Sequence, residues 1–263
     1  MAGAGFGRVM LERTLHLWRL FGVGMSFSLV GAAGVLLFPV LNLIIWRRCW
    51  RRNLARHAIR LSFRGIVAFL RVLGVLRVDT NGLERLERRG LLILANHPSL
   101  IDIVLLMAFV KGADCIIKRG VWRNPFTHAT VRAADYIRND SGPELVEKCI
   151  ASLKTGSNLI IFPEGTRTPA DGTIRLKRGA ANIAVRVPCN VTPVIIRCTP
   201  ANVGKGAQFC RTLSRSVHYS IEVGPDIDTE IFVRQAPNET LAARRLTRHL
   251  LDYFTNEKKL YAA

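Results

Sequence analysis

From Leu20 to Ile45 the chain runs for 26 residues without a charge, between Arg19 and Arg47. As a helix this stretch measures roughly 39 Å at ~1.5 Å per residue. That exceeds the ~30 Å hydrocarbon core of a bilayer. Gly31, Gly34 and Pro39 interrupt it, which leaves two shapes open: a tilted span, or a kinked hairpin dipping into one leaflet. A cleaved signal sequence ending near Gly31-Ala32-Ala33-Gly34 is the competing reading. The apolar run, however, continues past that point into an arginine cluster, which favours an anchor.

Arg47, Arg48, Arg51, Arg52, Arg56 and Arg60 follow at once, with no acid among them. An excess of cationic residues beside a span marks the cytoplasmic side. The expected location is therefore the inner or cytoplasmic membrane, with the downstream domain facing the cytoplasm. Arg52, Arg56, Arg60 and Arg64 recur every fourth residue, and Leu54, Ile59, Leu61, Ile66, Leu70 and Leu73 fill much of the remaining helical surface. This pattern predicts a basic amphipathic helix lying on anionic lipid. Residues 1–80 hold twelve arginines, no lysine and only Glu12 and Asp79 as acids, so +10 of the net charge of +19 sits there. Because that charge flanks an apolar segment, the anionic partner it implies is a membrane surface and not nucleic acid.

Beyond Val75 the pattern changes. Short apolar runs (Leu76–Asp79, Leu91–Ala95, Cys115–Lys118, Leu159–Phe162, Val191–Ile196, Val217–Val223) alternate with helical patterns (Leu100–Val110, Pro143–Leu153, Lys177–Val187, Glu239–Asn256). Such alternation predicts an α/β fold with a central, mostly buried sheet flanked by helices. The organisation read from this is an N-terminal membrane-associated helical region over residues 1–74 and a catalytic domain over 75–263. Ala201–Leu213 reads as a surface loop. The six cysteines, at 49, 115, 149, 189, 198 and 210, form no C-x-x-C pair, so reduced thiols are expected. No metal-ligand spacing appears.

Two runs carry chemistry. In Asn96-His97-Pro98-Ser99-Leu100-Ile101-Asp102 a base and a carboxylate stand five residues apart, between an expected strand and an expected helix. Pro98 disfavours helical backbone at His97, so His97 precedes the helix and can meet Asp102 on its first turn. Ser99 and Asp102 also fit the [ST]-x-x-[DE] capping pattern, which gives Asp102 a purely structural reading and leaves His97 a loop histidine. In Phe162-Pro163-Glu164-Gly165-Thr166-Arg167-Thr168 an acid, a glycine and an arginine follow an expected strand. Arg167 is suited to phosphate through two parallel hydrogen bonds. Glu164 is suited to holding an acceptor hydroxyl or orienting Arg167. A surface turn with an ion pair is the plain alternative.

These runs, in this order, resemble those of the 1-acylglycerol-3-phosphate acyltransferase family, over about residues 75–225. The first looks like the family's NHxxxxD block. Asp135-Tyr136-Ile137-Arg138-Asn139 resembles its second block, Phe162–Thr168 its FPEGTRS-type block, and Leu176-Lys177-Arg178-Gly179-Ala180 the F-K-x-G-A run that follows. Val187-Pro188 with Thr192-Pro193-Val194 looks like the last block. Two departures stand out: Arg132-Ala133-Ala134 occurs where the second block has a glycine, and four residues separate Pro188 from Pro193. Asp140 beside Arg138 is a further oddity.

The resemblance implies a membrane O-acyltransferase. The donor would be an acyl thioester, acyl-CoA or acyl carrier protein, as co-substrate, with no metal and no other cofactor. His97 would be the general base and Asp102 its orienting acid. Arg138, Glu164, Gly165, Thr166, Arg167 and Lys177 would bind a lipid acceptor, with lysophosphatidic acid giving phosphatidic acid as the leading case. An ornithine-type lipid, a specialised polyene lipid or a phospholipid-remodelling transacylase reaction are the alternatives. A catalytically inactive membrane-docked binding protein is the alternative of a different class.

Overall fold

The computed structural model describes residues 3–139, 143–169, 171–187, 189–200 and 216–259. Asp140, Pro188, Cys210 and the loop expected at Ala201–Leu213 lie outside them. The five described cysteines are free thiols.

Seven strands form one sheet in the order β1-β7-β6-β2-β5-β3-β4. The strands are β1 (Leu76–Asn81), β2 (Leu92–Ala95), β3 (Ala113–Ile117), β4 (Ile137–Arg138), β5 (Asn158–Ile161), β6 (Val191–Thr199) and β7 (Val217–Val223). Every pairing is parallel except β6 with β7. β2 and β5 are buried at every position, as expected of central strands covered on both faces.

Alternation along the strands divides the interior in two. Ile93 and Ala95 of β2 join Ile160, Val194, Ile196 and Tyr219 on one face, with α2 (Arg48–Val72) and α3 (Asp102–Phe109). Leu92 and Leu94 join Leu159, Ile161 and Ile195 on the other face. There they meet α6 (Pro143–Lys154), α7 (Gly179–Ala184) and α9 (Glu239–Lys259). Ala242, Ala243, Leu246, Leu250 and Phe254 of α9 carry the three- and four-residue spacing of a helix with one buried face. The architecture is thus the expected α/β sandwich.

The N-terminal region follows its charge pattern less closely. α1 (Gly3–Ile44) is one continuous helix of 42 residues that passes through Gly31, Gly34 and Pro39 without a break. At ~1.5 Å per residue it is about 63 Å long, so the hairpin shape does not form. Arg13–Ile44 is long and apolar enough to cross a membrane, and 11% of its most apolar window is buried. The helix packs on α2 and α5 (Pro125–Ala133), and Asn42 Nδ2 donates to the Ala129 carbonyl at 3.0 Å.

In α2 the expected lipid-facing surface divides. Ile59, Ile66 and Leu70 are buried against the sheet and α3, while Leu54 and Leu61 stay exposed. The arginine stripe divides too. Arg56 is 6% exposed and pairs with Asp114 Oδ2 at 2.8 Å. It also donates to the Ala134 carbonyl at 2.9 Å and to Ser157 Oγ at 3.0 Å. One face of α2 therefore belongs to the same core as the sheet, through Ile59, Ile66 and Leu70 together with the buried Arg56–Asp114 pair.

Several helix boundaries differ from the periodicity. The helix expected at Leu100–Val110 starts at Asp102, because Ser99 and Asp102 spend their polar groups on the turn before it. The one expected at Lys177–Val187 shrinks to Gly179–Ala184. Two short helices, α4 (Arg119–Arg123) and α5, and the two-residue strand β4 were not expected. α8 (Glu230–Arg234) was likewise unexpected.

Candidate active site

The site lies beyond the carboxyl ends of two adjacent parallel strands, β2 and β5. Their register pairs Leu94 with Ile161. His97, three residues past Leu94, and Glu164, three past Ile161, therefore stand side by side. β2 stops at Ala95, and the Asn96 side chain extends its ladder to β6. Asn96 Nδ2 donates to the Ile196 carbonyl at 2.8 Å, and its Oδ1 accepts from the Ile196 N–H at 2.7 Å. This double bond fixes the chain one residue before His97.

His97 Nδ1 meets Asp102 Oδ2 at 2.9 Å, with the imidazole 18% exposed and the carboxylate 0%. A carboxylate accepts, so Nδ1 carries the proton and Nε2 is the nitrogen left for a substrate. Asp102 Oδ2 also accepts from the Ser99 N–H at 2.7 Å, and Oδ1 accepts from the Ser99 hydroxyl. Ser99 Oγ in turn accepts from the Ile101 N–H at 3.1 Å and from the Tyr219 hydroxyl at 2.8 Å. The capping and dyad readings of Asp102 therefore hold together: one carboxylate closes the turn into α3 and orients the imidazole. Burial lifts Asp102 above the ordinary carboxylate range, and the His97 and Ser99 donors oppose that lift.

Phe162 stacks on the His97 ring with centroids 4.2 Å apart and planes 22° from parallel. The ring is thus held by a hydrogen bond at its edge and an aromatic face against its plane.

Glu164 has a different place from the one expected. It is 4% exposed, and its Oε1 accepts from the His97 N–H and from Thr168 Oγ1, each at 2.9 Å. The Thr168 N–H closes the loop by donating to the His97 carbonyl at 2.8 Å. Glu164 makes no ion pair with Arg167 among the described residues; it ties the two functional loops together. Burial raises its pKa, against the lowering effect of these donors.

Gly165 has φ +68°, and a Cβ there would lie 2.8 Å from Lys177 Cε. The Lys177 chain therefore passes directly over the glycine, and its N–H donates to the Pro163 carbonyl at 2.8 Å. Thr166 and Lys177 are exposed and Arg167 is half-buried. Gly165, Thr166 and Arg167 thus lie on the loop tied to the His97 backbone, with Lys177 over Gly165.

Arg138 does not join them. It is on β4, three strands from β2, or about 14 Å at ~4.8 Å per strand. Its guanidinium lies 5.5 Å from the centre of the Trp122 ring.

Reading the sequence singled out His97, Asp102, Arg167 and Lys177. It anticipated the Ser99–Asp102 turn but missed Asn96, Phe162 and Thr168 as participants, although all three lie within the two quoted runs. Tyr219 had no local signal beyond its inward place in the alternating strand β7.

The His97–Asp102 pair thus stands at the carboxyl edge of the parallel strands β2 and β5. Residues 77–197 of this chain match the family model described as Acyltransferase. It is 29% identical over 170 residues to a 1-acyl-sn-glycerol-3-phosphate acyltransferase of Pseudomonas aeruginosa, covering 61% of this chain and 63% of that one. It is also 29% identical over 156 residues to the enzyme of that name from Cocos nucifera, covering 57% and 50%. The match thus spans about half to two thirds of the length of these relatives. In fold, the chain is similar to the crystal structure of the 1-acyl-sn-glycerophosphate acyltransferase PlsC from Thermotoga maritima. The TM-score is 0.65 at 21% identity, over 96% of this chain and 98% of that one.

Proposed function

We propose that this chain is a membrane-bound O-acyltransferase that moves an acyl group from a thioester donor to the hydroxyl of a lysophosphatidic-acid-like lipid, forming phosphatidic acid. The observation that carries this reading is the 2.9 Å contact of His97 Nδ1 with a fully buried Asp102, beside a loop that gathers two cations. The names of the relatives supply the reaction class and the acceptor.

In the proposed reaction, His97 Nε2 accepts the proton of the acceptor hydroxyl as its oxygen attacks the thioester carbonyl. A new C–O bond forms, the C–S bond breaks, and the imidazolium returns its proton to the departing thiolate. Asp102 fixes the imidazole tautomer and stabilises the imidazolium. General base catalysis of this kind contributes about 10²–10⁴-fold. The donor, acyl-CoA or acyl carrier protein, is a co-substrate and no resident cofactor is required.

Arg167 and Lys177 hold the acceptor phosphate. Gly165 keeps Lys177 close to the loop, and Thr166 offers a hydroxyl on the same surface. α1 anchors the chain in the inner or cytoplasmic membrane, with the arginine-rich start of α2 on the cytoplasmic side. In this reading the site stands where a lipid acceptor and a cytoplasmic donor meet.

The test is acyl transfer by the detergent-solubilised full chain across lysophosphatidic acid, lysophosphatidylcholine and ornithine-type acceptors, read by mass spectrometry. Arg167→Ala is expected to raise KM for lysophosphatidic acid by tenfold or more. An unchanged KM would mean that the acceptor presents no phosphate to this loop.

A further inference from the structure

The loop that carries Arg167 and the segment laid over it hold more positive charge than one acceptor phosphate needs. From Thr173 to Leu176 the chain forms neither helix nor strand, and its burial alternates. Ile174 and Leu176 pack against the core on the α6, α7 and α9 side of the sheet. Arg175 and Lys177 are exposed, as alternate side chains of an extended chain are. Arg178, exposed as well, closes the segment at the start of α7, where its carbonyl accepts from the Asn182 N–H at 2.9 Å.

This segment is fixed to the site. The Lys177 N–H donates to the Pro163 carbonyl, and the lysine chain covers Gly165. Glu164, between those two loop residues, accepts from the His97 N–H. Arg175 stands two residues before Lys177, about 7 Å along an extended chain at ~3.3 Å per residue. Arg175 and Arg178 therefore flank a lysine that lies one loop away from the dyad.

Their charges are not cancelled. Arg167, Arg175, Lys177 and Arg178 make no ion pair among the described residues. Asp171, the nearest acid in sequence, accepts from the Thr173 N–H at 2.9 Å. A phosphate monoester carries about −1.5 to −2 at neutral pH, which Arg167 and Lys177 match. Arg175 and Arg178 remain for a second anion. The other reactant is the thioester donor, whose pantetheine arm ends in phosphate groups held away from the sulfur. Cations outside the dyad but fixed to its loop suit that arrangement, and a guanidinium binds phosphate through parallel hydrogen bonds.

We propose that Arg175 and Arg178 bind the phosphates at the end of the donor's pantetheine arm, beside the pair of cations that holds the acceptor. The assignment rests on the acyl-transfer reading of the site.

The test measures KM for three acyl donors with the detergent-solubilised full chain and lysophosphatidic acid. The donors are decanoyl-CoA, decanoyl-phosphopantetheine and decanoyl-pantetheine, of which the last bears no phosphate. Arg175→Gln with Arg178→Gln is expected to raise KM for decanoyl-CoA at least tenfold. KM for decanoyl-pantetheine and for lysophosphatidic acid should stay within about twofold of wild type. The control, Arg89→Gln with Lys154→Gln, removes the same charge from exposed positions that precede β2 and β5, at the opposite end of those strands. It should match wild type. A rise for decanoyl-phosphopantetheine as well would support the arm's own phosphate as the ligand, and a rise for decanoyl-CoA alone the phosphates of its nucleotide. An equal rise for the phosphate-free donor, a rise confined to lysophosphatidic acid, or an equal rise in the control would each overturn the proposal. So would no rise at all. Calorimetric titration with CoA separates this site from the reading it rests on. A chain that binds CoA, at least tenfold more weakly in the double variant, yet transfers no acyl group would refute the acyl-transfer reading and keep the site. A chain that transfers the group with every KM untouched by the variant would refute the site and keep the reading.

Discussion

Tyr219 and Ser99 lie 120 residues apart in the chain, yet the Tyr219 hydroxyl donates to Ser99 Oγ at 2.8 Å. Ser99 passes the contact on to Asp102, so β7 braces the dyad from below. Tyr219→Phe removes one hydrogen bond without a change of shape. A buried neutral bond is worth about 0.5–1.5 kcal/mol net. The expected result is a fall in kcat of about two- to tenfold, with KM for both substrates unchanged. Steady-state kinetics of the purified variant make the comparison, and an unaltered kcat would show that the brace does not reach His97.

In the proposed function Gly165 joins backbone conformation to acceptor binding. Its φ of +68° suits glycine, and a side chain there would meet Lys177. Gly165→Ala carries a backbone cost of about 1–2 kcal/mol and displaces the lysine chain. KM for lysophosphatidic acid should rise about tenfold while kcat changes less, as follows when binding common to ground and transition states is lost. A fall confined to kcat would contradict the assignment of Lys177 to the acceptor.

Glu164 gives a pH signature. Burial raises its folded-state pKa above that of the unfolded chain, so the folded state holds the proton more tightly. The stability linked to that proton is fully present below the ordinary glutamate pKa and is lost as pH rises through the folded value. Gln at this position keeps an oxygen to accept from the His97 N–H and Thr168, and it never ionises. The unfolding temperature of Glu164→Gln should therefore match wild type near pH 4 and gain on it toward pH 7. A gain by wild type over that interval would reverse the sign and refute the argument. Circular dichroism of the two proteins across this range makes the measurement.

Arg56 tests how firmly α2 belongs to the sheet domain. Its pair with Asp114 is buried on both sides, at 4% and 3% side-chain exposure. Removing one partner of such a pair costs about 3–5 kcal/mol, so Arg56→Ala should lower the unfolding temperature sharply. Replacing both, as Arg56→Met with Asp114→Leu, should recover most of the loss, because no uncompensated charge remains buried. A mild single variant would mean that α2 is held by its apolar contacts alone.

The sequence read well where one pattern dominated. Apolar runs such as Leu91–Ala95 and Leu159–Phe162 became fully buried central strands within a residue or two of their expected limits, because a strand covered on both faces has no polar positions to blur it. His97 and Asp102 were legible because Pro98 and the capping pattern restrict the turn between them. The α4–α5 segment was missed although Asn124-Pro125 carries a start signal: the Asn124 side chain accepts from the Phe126 N–H at 2.9 Å, with proline at the first helical turn. Arg56 was misread because spacing alone placed it on a lipid-facing stripe, while its partner Asp114 lies 58 residues on, in β3. The backbone tie made by Glu164 was missed for a similar reason. A loop acid beside an arginine reads as its partner, and only the parallel register of β2 and β5 shows that the carboxylate faces the His97 backbone. Tyr219 needed β7 to be placed at the far side of β6, which no local pattern supplies.

The most direct test of the acyl-transfer account is the rate of transfer from acyl-CoA to lysophosphatidic acid by the full chain and by His97→Ala, with product measured by mass spectrometry. The account predicts a fall of about 10²–10⁴-fold in a variant whose unfolding temperature stays within a few degrees of wild type. Transfer at the wild-type rate by folded His97→Ala would contradict it.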